Sequence, residues 1–287
     1  MTATTEAATG EATTGKLGIL AGGGQLPARI AERCEATGRP YFIAAFNGYT
    51  DPSVVEGRPH MWARLGAAGS VIDRLHAEKV EQICMIGPVR RPSLLDLAPD
   101  AKAAAFFAKI GFRALGDNAL LTAIADVLAQ EGFALIGAKS LLGDMLLTAG
   151  PAGNVEPDER GRADITLGAT VVESLGRLDI GQAAIVQQGM VISVEAIEGT
   201  DALLARSAGL LRNGPGGILV KAAKPQQDRR LDLPTIGLAT VEKAAEIGLA
   251  GIAAGSGSTL IVDRSNVIAA CDKAGLFLFG FNADQTQ

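Results

Sequence analysis

From position 224 to 237 the chain reads Lys-Pro-Gln-Gln-Asp-Arg-Arg-Leu-Asp-Leu-Pro-Thr-Ile-Gly, with two acids and two arginines held between prolines. Asp228 and Asp232 stand four residues apart. That spacing puts both carboxylates on one side of a strand or on one face of a helix. Two hard oxygen ligands on one face suit a magnesium ion that also touches substrate phosphates. The neighbouring Arg229 and Arg230 suit phosphate oxygens. The competing reading is a solvated charge run on a loop. Proline at both ends, Pro225 and Pro234, argues for a fixed loop, because it locks φ and continues neither a central strand nor a helix.

A second stretch with chemical potential is Ala21-Gly22-Gly23-Gly24-Gln25-Leu26-Pro27, a glycine-rich turn between a strand and a helix. Free amides at a helix N-terminus, with no side chains in the way, can cradle phosphate. The dinucleotide fingerprint is incomplete, with no third glycine and no acid at Phe46-Asn47 to hold a ribose hydroxyl. A nicotinamide cofactor is therefore disfavoured, while phosphate or nucleotide binding survives. A tight turn needing positive φ is the structural alternative. Arg90 and Arg91 follow a strand that ends at Gly87-Pro88, where an open α/β sheet forms its ligand crevice. Asp117 reads as a helix N-cap. Glu195, Glu198, Thr200 and Asp201 gather acids and a hydroxyl where a strand gives way to a helix. They suit a metal site, a phosphate contact through Thr200, or ordinary capping.

The elements that must position these residues alternate. Short apolar runs at 16–21, 40–46, 82–86 and 133–137 read as buried strands, and helical spacing marks 26–37, 67–78, 101–113 and 118–131. The β-α-β alternation implies a parallel sheet covered by helices on both faces. A stretch rich in Gly and Pro with few large apolar residues follows at 148–158. Beyond it come a helix over 165–178, strands at 183–188 and 190–195, and a helix from a Thr200 cap to 211. A strand at 217–222 delivers the chain to the acid and arginine segment. A helix capped by Thr240 runs to 248, strands lie near 251–254 and 260–262, a helix follows Arg264, and a strand spans 276–279. The fold class is α/β in two domains: a flexible leader at 1–15, an N-terminal Rossmann-like domain at 16–147, a linker at 148–163, and a C-terminal α/β catalytic domain at 164–287.

Composition narrows the function. The 287 residues suffice for a large core. A net charge of -5 argues against a nucleic-acid binder. Two histidines, His60 and His76, cannot build a His-rich zinc or two-metal site, which leaves a hard ion held by carboxylates. Cys34, Cys84 and Cys271 stand far apart in apolar contexts and read as core thiols in a reducing compartment. The N-terminal segment has no basic start or apolar run and does not read as a secretory signal.

Taken in order, the segments 18–27, 87–92, 116–121, 194–201 and 221–237 resemble the LpxI family of UDP-2,3-diacylglucosamine pyrophosphatases of lipid A biosynthesis. The resemblance covers 16–281, and its last segment is the specific one. It implies hydrolysis of the pyrophosphate of UDP-2,3-diacylglucosamine to UMP and 2,3-diacylglucosamine 1-phosphate (lipid X). It also implies dependence on Mg2+ or another divalent cation such as Mn2+, and two domains that close over the substrate between them. Asp228 is then the first choice for the catalytic acid, as metal ligand or water-orienting base, and Asp232 the second; both are the expected metal ligands. Lys224, Arg229 and Arg230 would neutralise phosphate charge, with further substrate contacts at Gly22, Gly23, Gly24, Gln25, Arg90 and Thr200. Asn118 stands where the family often has an acid, which weakens a metal role there. The implied place of work is cytoplasmic, peripheral to the inner membrane, since the substrate carries two acyl chains. A homodimer is left open. The alternatives are a non-catalytic nucleotide-sugar or lipid-binding protein and a Rossmann-type nucleotide-dependent enzyme.

Overall fold

A computed structural model describes residues 15–89, 99–100, 104, 117–225 and 233–282, with the side chains of 117–119 left aside. The leader, apart from Gly15, and the expected helix at 101–113, apart from Ala104, lie outside the described residues.

The first half builds a five-stranded sheet from β1 (Leu17–Ala21), β2 (Tyr41–Phe46), β3 (His60–Ala63), β4 (Gln82–Ile86) and β5 (Ala134–Leu135), in the order β3-β2-β1-β4-β5. Every pairing is parallel. Helices α1 (Leu26–Thr37), α2 (Ala68–Ala77) and α3 (Asp117–Gln130) accompany it. Successive strand residues feed opposite faces. Leu17, Ile19, Ile43 and Ala45 join Ile30 and Cys34 in one core cluster. Phe42, Ala44, Ile83 and Met85 join Ile72, Leu75 and Leu128 in another. Burial on both faces is why β1 and β2 read as continuous apolar runs. Helix α1 stops at Gly38, whose left-handed φ of 68° turns its amide back onto the carbonyls of Cys34 and Glu35. Strand β3 was not expected: His60-Met61-Trp62-Ala63 has no apolar run, because it is an edge strand that buries only Ala63.

A short helix, α4 (Ala138–Leu141), closes the first half, and the second half follows. Its six-stranded sheet has the order β6-β13-β11-β9-β7-β8. The strands are β6 (Gly150–Pro151), β7 (Ala183–Gln187), β8 (Met190–Val194), β9 (Ile218–Lys221), β11 (Gly251–Gly255) and β13 (Phe277–Phe281). The central β9, β11 and β13 are parallel, β6 and β7 run against them, and β8, antiparallel to β7, runs in the same direction as the central strands. A miniature parallel sheet pairs β10 (Thr235–Ile236) with β12 (Leu260–Ile261). The helices are α5 (Glu159–Arg177), α6 (Thr200–Ser207), α7 (Leu238–Glu246) and α8 (Arg264–Ala274).

Three local expectations change. The helix expected from 165 begins at Glu159, because the Asp158 carboxylate accepts the Gly161 amide at 2.7 Å and caps it. The 148–163 stretch therefore holds the edge strand β6 as well as the first turn of α5. Thr240 does not cap α7, which starts at Leu238 behind Gly237. Thr200 does not cap α6 either: Gly199, at φ 82°, takes the cap position and the Thr200 hydroxyl turns elsewhere.

The two halves share a core. Leu233 and Leu260 belong to the same buried cluster as Leu17, Leu26 and Ile30, with Met145, Leu146 and Val262 packed against it. Leu146 also bridges Leu260 backbone to backbone, and Arg29 of α1 pairs with Asp263.

All three cysteines are free and buried. Burial raises the thiol pKa of each, to about 12 for Cys84 and about 11 for Cys271. The reactive species is the thiolate. No cysteine should react with a thiol reagent such as DTNB in the folded protein at pH 8, and all three should react in denaturant. Rapid labelling of a folded sample would contradict this packing.

Candidate active site

The first half places its glycine loop where β1 and β4 lie side by side and the connections diverge, the ligand crevice of an open α/β sheet. The loop is locked to its neighbour. The Gly22 amide donates to the Ile86 carbonyl at 2.8 Å and the Gly23 amide to the Pro88 carbonyl at 2.9 Å. A Cβ on Gly22 would lie 2.3 Å from the Gly87 carbonyl oxygen. A Cβ on Gly87, itself at φ 93°, would lie 2.4 Å from the Gly23 carbonyl oxygen. Close backbone approach thus requires these glycines, and the first two amides are not free for an anion. The amides of Gly24, Gln25 and Leu26 have no acceptor among the described residues and open the N-terminus of α1. Those are the loop groups left to meet a phosphate. Arg90 lies outside the described residues.

The second half places β9 so that its carboxyl end delivers the chain to the acid and arginine segment. Asp228, Arg229, Arg230 and Asp232 lie outside the described residues, while the chain on both sides is described. On the entry side, Lys224-Pro225 packs on α5 at Gly176, where an added Cβ would lie 2.8 Å from Pro225 Cδ. The Lys224 ammonium donates to Asp179 Oδ1 at 2.7 Å, so a phosphate at Lys224 would share it with that carboxylate. On the exit side, Leu233 is buried in the cluster shared by the two halves. The Pro234 carbonyl accepts the Leu260 amide at 2.9 Å.

A polar cluster joins the residues that flank this segment, Lys221 and Thr235. Thr200 Oγ1 donates to Glu195 Oε1 at 2.7 Å and accepts from Lys221 Nζ at 3.1 Å. Glu195 Oε2 accepts the Gln182 amide at 2.9 Å. Lys221 Nζ also donates to the Thr235 carbonyl at 3.2 Å. Glu195 is 4% exposed and Lys221 7%. The other two acids near Thr200 are engaged separately. Glu198 is held below the usual carboxylate range by its own backbone amide and then by Arg206; Asp201 pairs with Lys243 at 2.8 Å. Among the described residues no group of three His, Cys, Asp or Glu could hold a metal. Within the described residues the acids of the 195–201 stretch are held by Gln182, Thr200, Arg206 and Lys243. Sequence reasoning passed over Lys221. Its one signal was a lysine closing the apolar run Ile218-Leu219-Val220.

Residues 16–145 match the model of the LpxI N-terminal domain, and residues 148–279 match that of the LpxI C-terminal domain. The chain belongs to the LpxI family. A relative from Caulobacter vibrioides (strain ATCC 19089 / CIP 103742 / CB 15), named UDP-2,3-diacylglucosamine pyrophosphatase LpxI, is 42% identical over 277 residues, 94% of this chain and 99% of its own. This LpxI chain is accordingly an enzyme of the hydrolase class. Among solved structures, a CobK precorrin-6A reductase aligns over 94% of this chain and 88% of its own, at 11% identity and a TM-score of 0.33. An isoflavone reductase aligns over 95% and 80%, at 11% identity and a TM-score of 0.29. Likenesses that weak bear on neither the fold nor the chemistry of this LpxI chain.

Proposed function

We propose that this LpxI chain hydrolyses the pyrophosphate bond of UDP-2,3-diacylglucosamine, releasing UMP and lipid X. The observation that carries the reading is its 42% identity, end to end, with a protein named for that pyrophosphatase activity. The architecture supports it: a motif dense in carboxylate and guanidinium groups follows a central parallel strand and is anchored on both sides.

Pyrophosphate cleavage needs charge neutralisation and a positioned water more than a covalent nucleophile. Asp228 orients the water, and Asp232 is its second. Lys224, Arg229 and Arg230 offset the charge that develops on the departing UMP. Glu195 accepts one hydrogen bond on each oxygen, from the Gln182 amide and the Thr200 hydroxyl. Asp228 and Asp232 are the residues that would hold Mg2+, which when bound supplies charge neutralisation at the phosphate oxygens. Gly24 and Gln25 amides receive a phosphate of the nucleotide.

The two acyl chains of the substrate bring the protein to the surface of the inner membrane. Among the described residues no helix is long and apolar enough to cross a membrane. The exposed Leu178 and Ile180 flank Asp179, the partner of Lys224, and offer apolar surface beside the segment.

The test is UMP release from UDP-2,3-diacylglucosamine by the purified protein, with magnesium and with EDTA. Release of UMP and lipid X only with magnesium is expected. Release that survives EDTA would remove the metal from the mechanism and keep the reaction. A folded sample inert in both arms would overturn the reading.

A further inference from the structure

We propose that Glu195, Thr200 and Lys221 form a buried clamp that fixes the two ends of the 222–234 segment relative to each other, making Lys221 and Thr200 positioning residues for the proposed reaction. The proposal rests on the pyrophosphatase reading for its kinetic consequence and on geometry for everything else.

The clamp spans elements distant in sequence. Lys221 is the last residue of β9, immediately before the segment, and Thr235 opens β10, immediately after it. One ammonium joins them, since Lys221 Nζ donates to the Thr235 carbonyl at 3.2 Å. The same nitrogen donates to Thr200 Oγ1 at 3.1 Å. The Thr200 hydroxyl donates in turn to Glu195 Oε1 at 2.7 Å. Glu195 is tied in turn to the Gln182 amide at 2.9 Å, and the Gln182 carbonyl accepts the Ala222 amide at 3.0 Å. The chain of bonds thus returns to the segment's own entry.

Burial makes this arrangement exacting. A charge removed from water requires paired and hydrogen-bonded surroundings. Glu195 and Lys221 therefore hold the intervening hydroxyl in one geometry. Thr200 donates to the carboxylate and accepts from the ammonium, which its single proton and its lone pairs permit together. With the hydroxyl so engaged, its role is to relay position, which departs from the substrate contact expected of Thr200.

Thr200→Val tests this, because it keeps the shape and both charged groups and deletes only the hydroxyl. The expected result is a kcat for UMP release lowered about 10- to 100-fold with KM little changed, and near recovery in Thr200→Ser. Hydrogen exchange in peptides covering 222–234 should accelerate about five- to tenfold, the worth of one lost hydrogen bond. Peptides from β7 and β11 should be unaffected. A raised KM with unchanged kcat and unchanged exchange would make Thr200 a substrate contact and overturn the clamp. Faster exchange throughout β7, β9 and β11 would show general loosening and overturn it too. If the wild-type protein releases no UMP, the pyrophosphatase reading fails, and the exchange arm alone still decides the clamp.

Discussion

Asp228→Asn should reduce UMP release from UDP-2,3-diacylglucosamine by about 10²–10⁴-fold, the range that a single positioned acid or base contributes. The substitution keeps the side chain's size and removes its charge and basicity. The thermal unfolding midpoint and the calorimetric affinity for the nucleotide-sugar should therefore stay near wild type. Asp232→Asn should fall between the two proteins if its carboxylate is a second ligand and not the water-orienting group. The ranking matters more than either magnitude. Asp232→Asn as the more damaged variant would exchange the two roles. Unchanged turnover in Asp228→Asn would place the chemistry elsewhere. Lys224 gives a useful contrast, because its ammonium already has the Asp179 carboxylate at 2.7 Å. Its removal affects the anchoring of the segment as well as the substrate.

Gly22→Ala should be the most damaging single methyl in the first half of the protein. The added carbon would meet the Gly87 carbonyl oxygen at 2.3 Å, the Gly87 carbonyl carbon at 2.6 Å and the Pro88 carbonyl oxygen at 2.9 Å. All three are backbone atoms, so no flexible side chain can yield. The turns after β1 and β4 would have to part, with loss of the Gly22 to Ile86 and Gly23 to Pro88 hydrogen bonds. Overpacking at about 1–3 kcal/mol and two hydrogen bonds at about 1 kcal/mol each give about 3–5 kcal/mol. That is a large share of the roughly 5–15 kcal/mol by which a domain is stable. Gly38→Ala is the control. Gly38 also has positive φ, at 68°, but an added Cβ would find nothing within 4 Å. It should cost only the left-handed penalty of about 1–2 kcal/mol. Chemical denaturation of both variants separates the contributions, and equal losses would mean that the interlocked turns are not tight.

The sequence exposed these features unevenly, for physical reasons. Strands buried on both faces, such as Leu17–Ala21, announce themselves as apolar runs, so the parallel first sheet was legible. An edge strand such as His60–Ala63 buries one residue and leaves no pattern. Thr200 followed by Asp201 has the local signature of a helix cap, but Gly199 can adopt a backbone that threonine avoids, and it took the cap instead. Lys221 was illegible because a lysine after an apolar run normally marks the surface. Only the meeting of β9 with the turn after β8 shows that it is buried. The glycine loop was read correctly as a turn. Its two committed amides depend on β4, which lies some sixty residues further along the chain.

The family models divide the chain between 145 and 148, yet the apolar cluster that holds Leu17 and Ile30 also holds Leu233 and Leu260. Prising the halves apart like jaws would wet those two leucines, at about 1.5–3 kcal/mol for each side chain, and would strand the Leu146 to Leu260 bridge. Such a body behaves mechanically as one block with a weld rather than as two plates on a hinge. Under the proposed reaction the substrate would enter without parting the halves, and the exit of the 222–234 segment is itself fastened to the weld through Leu233.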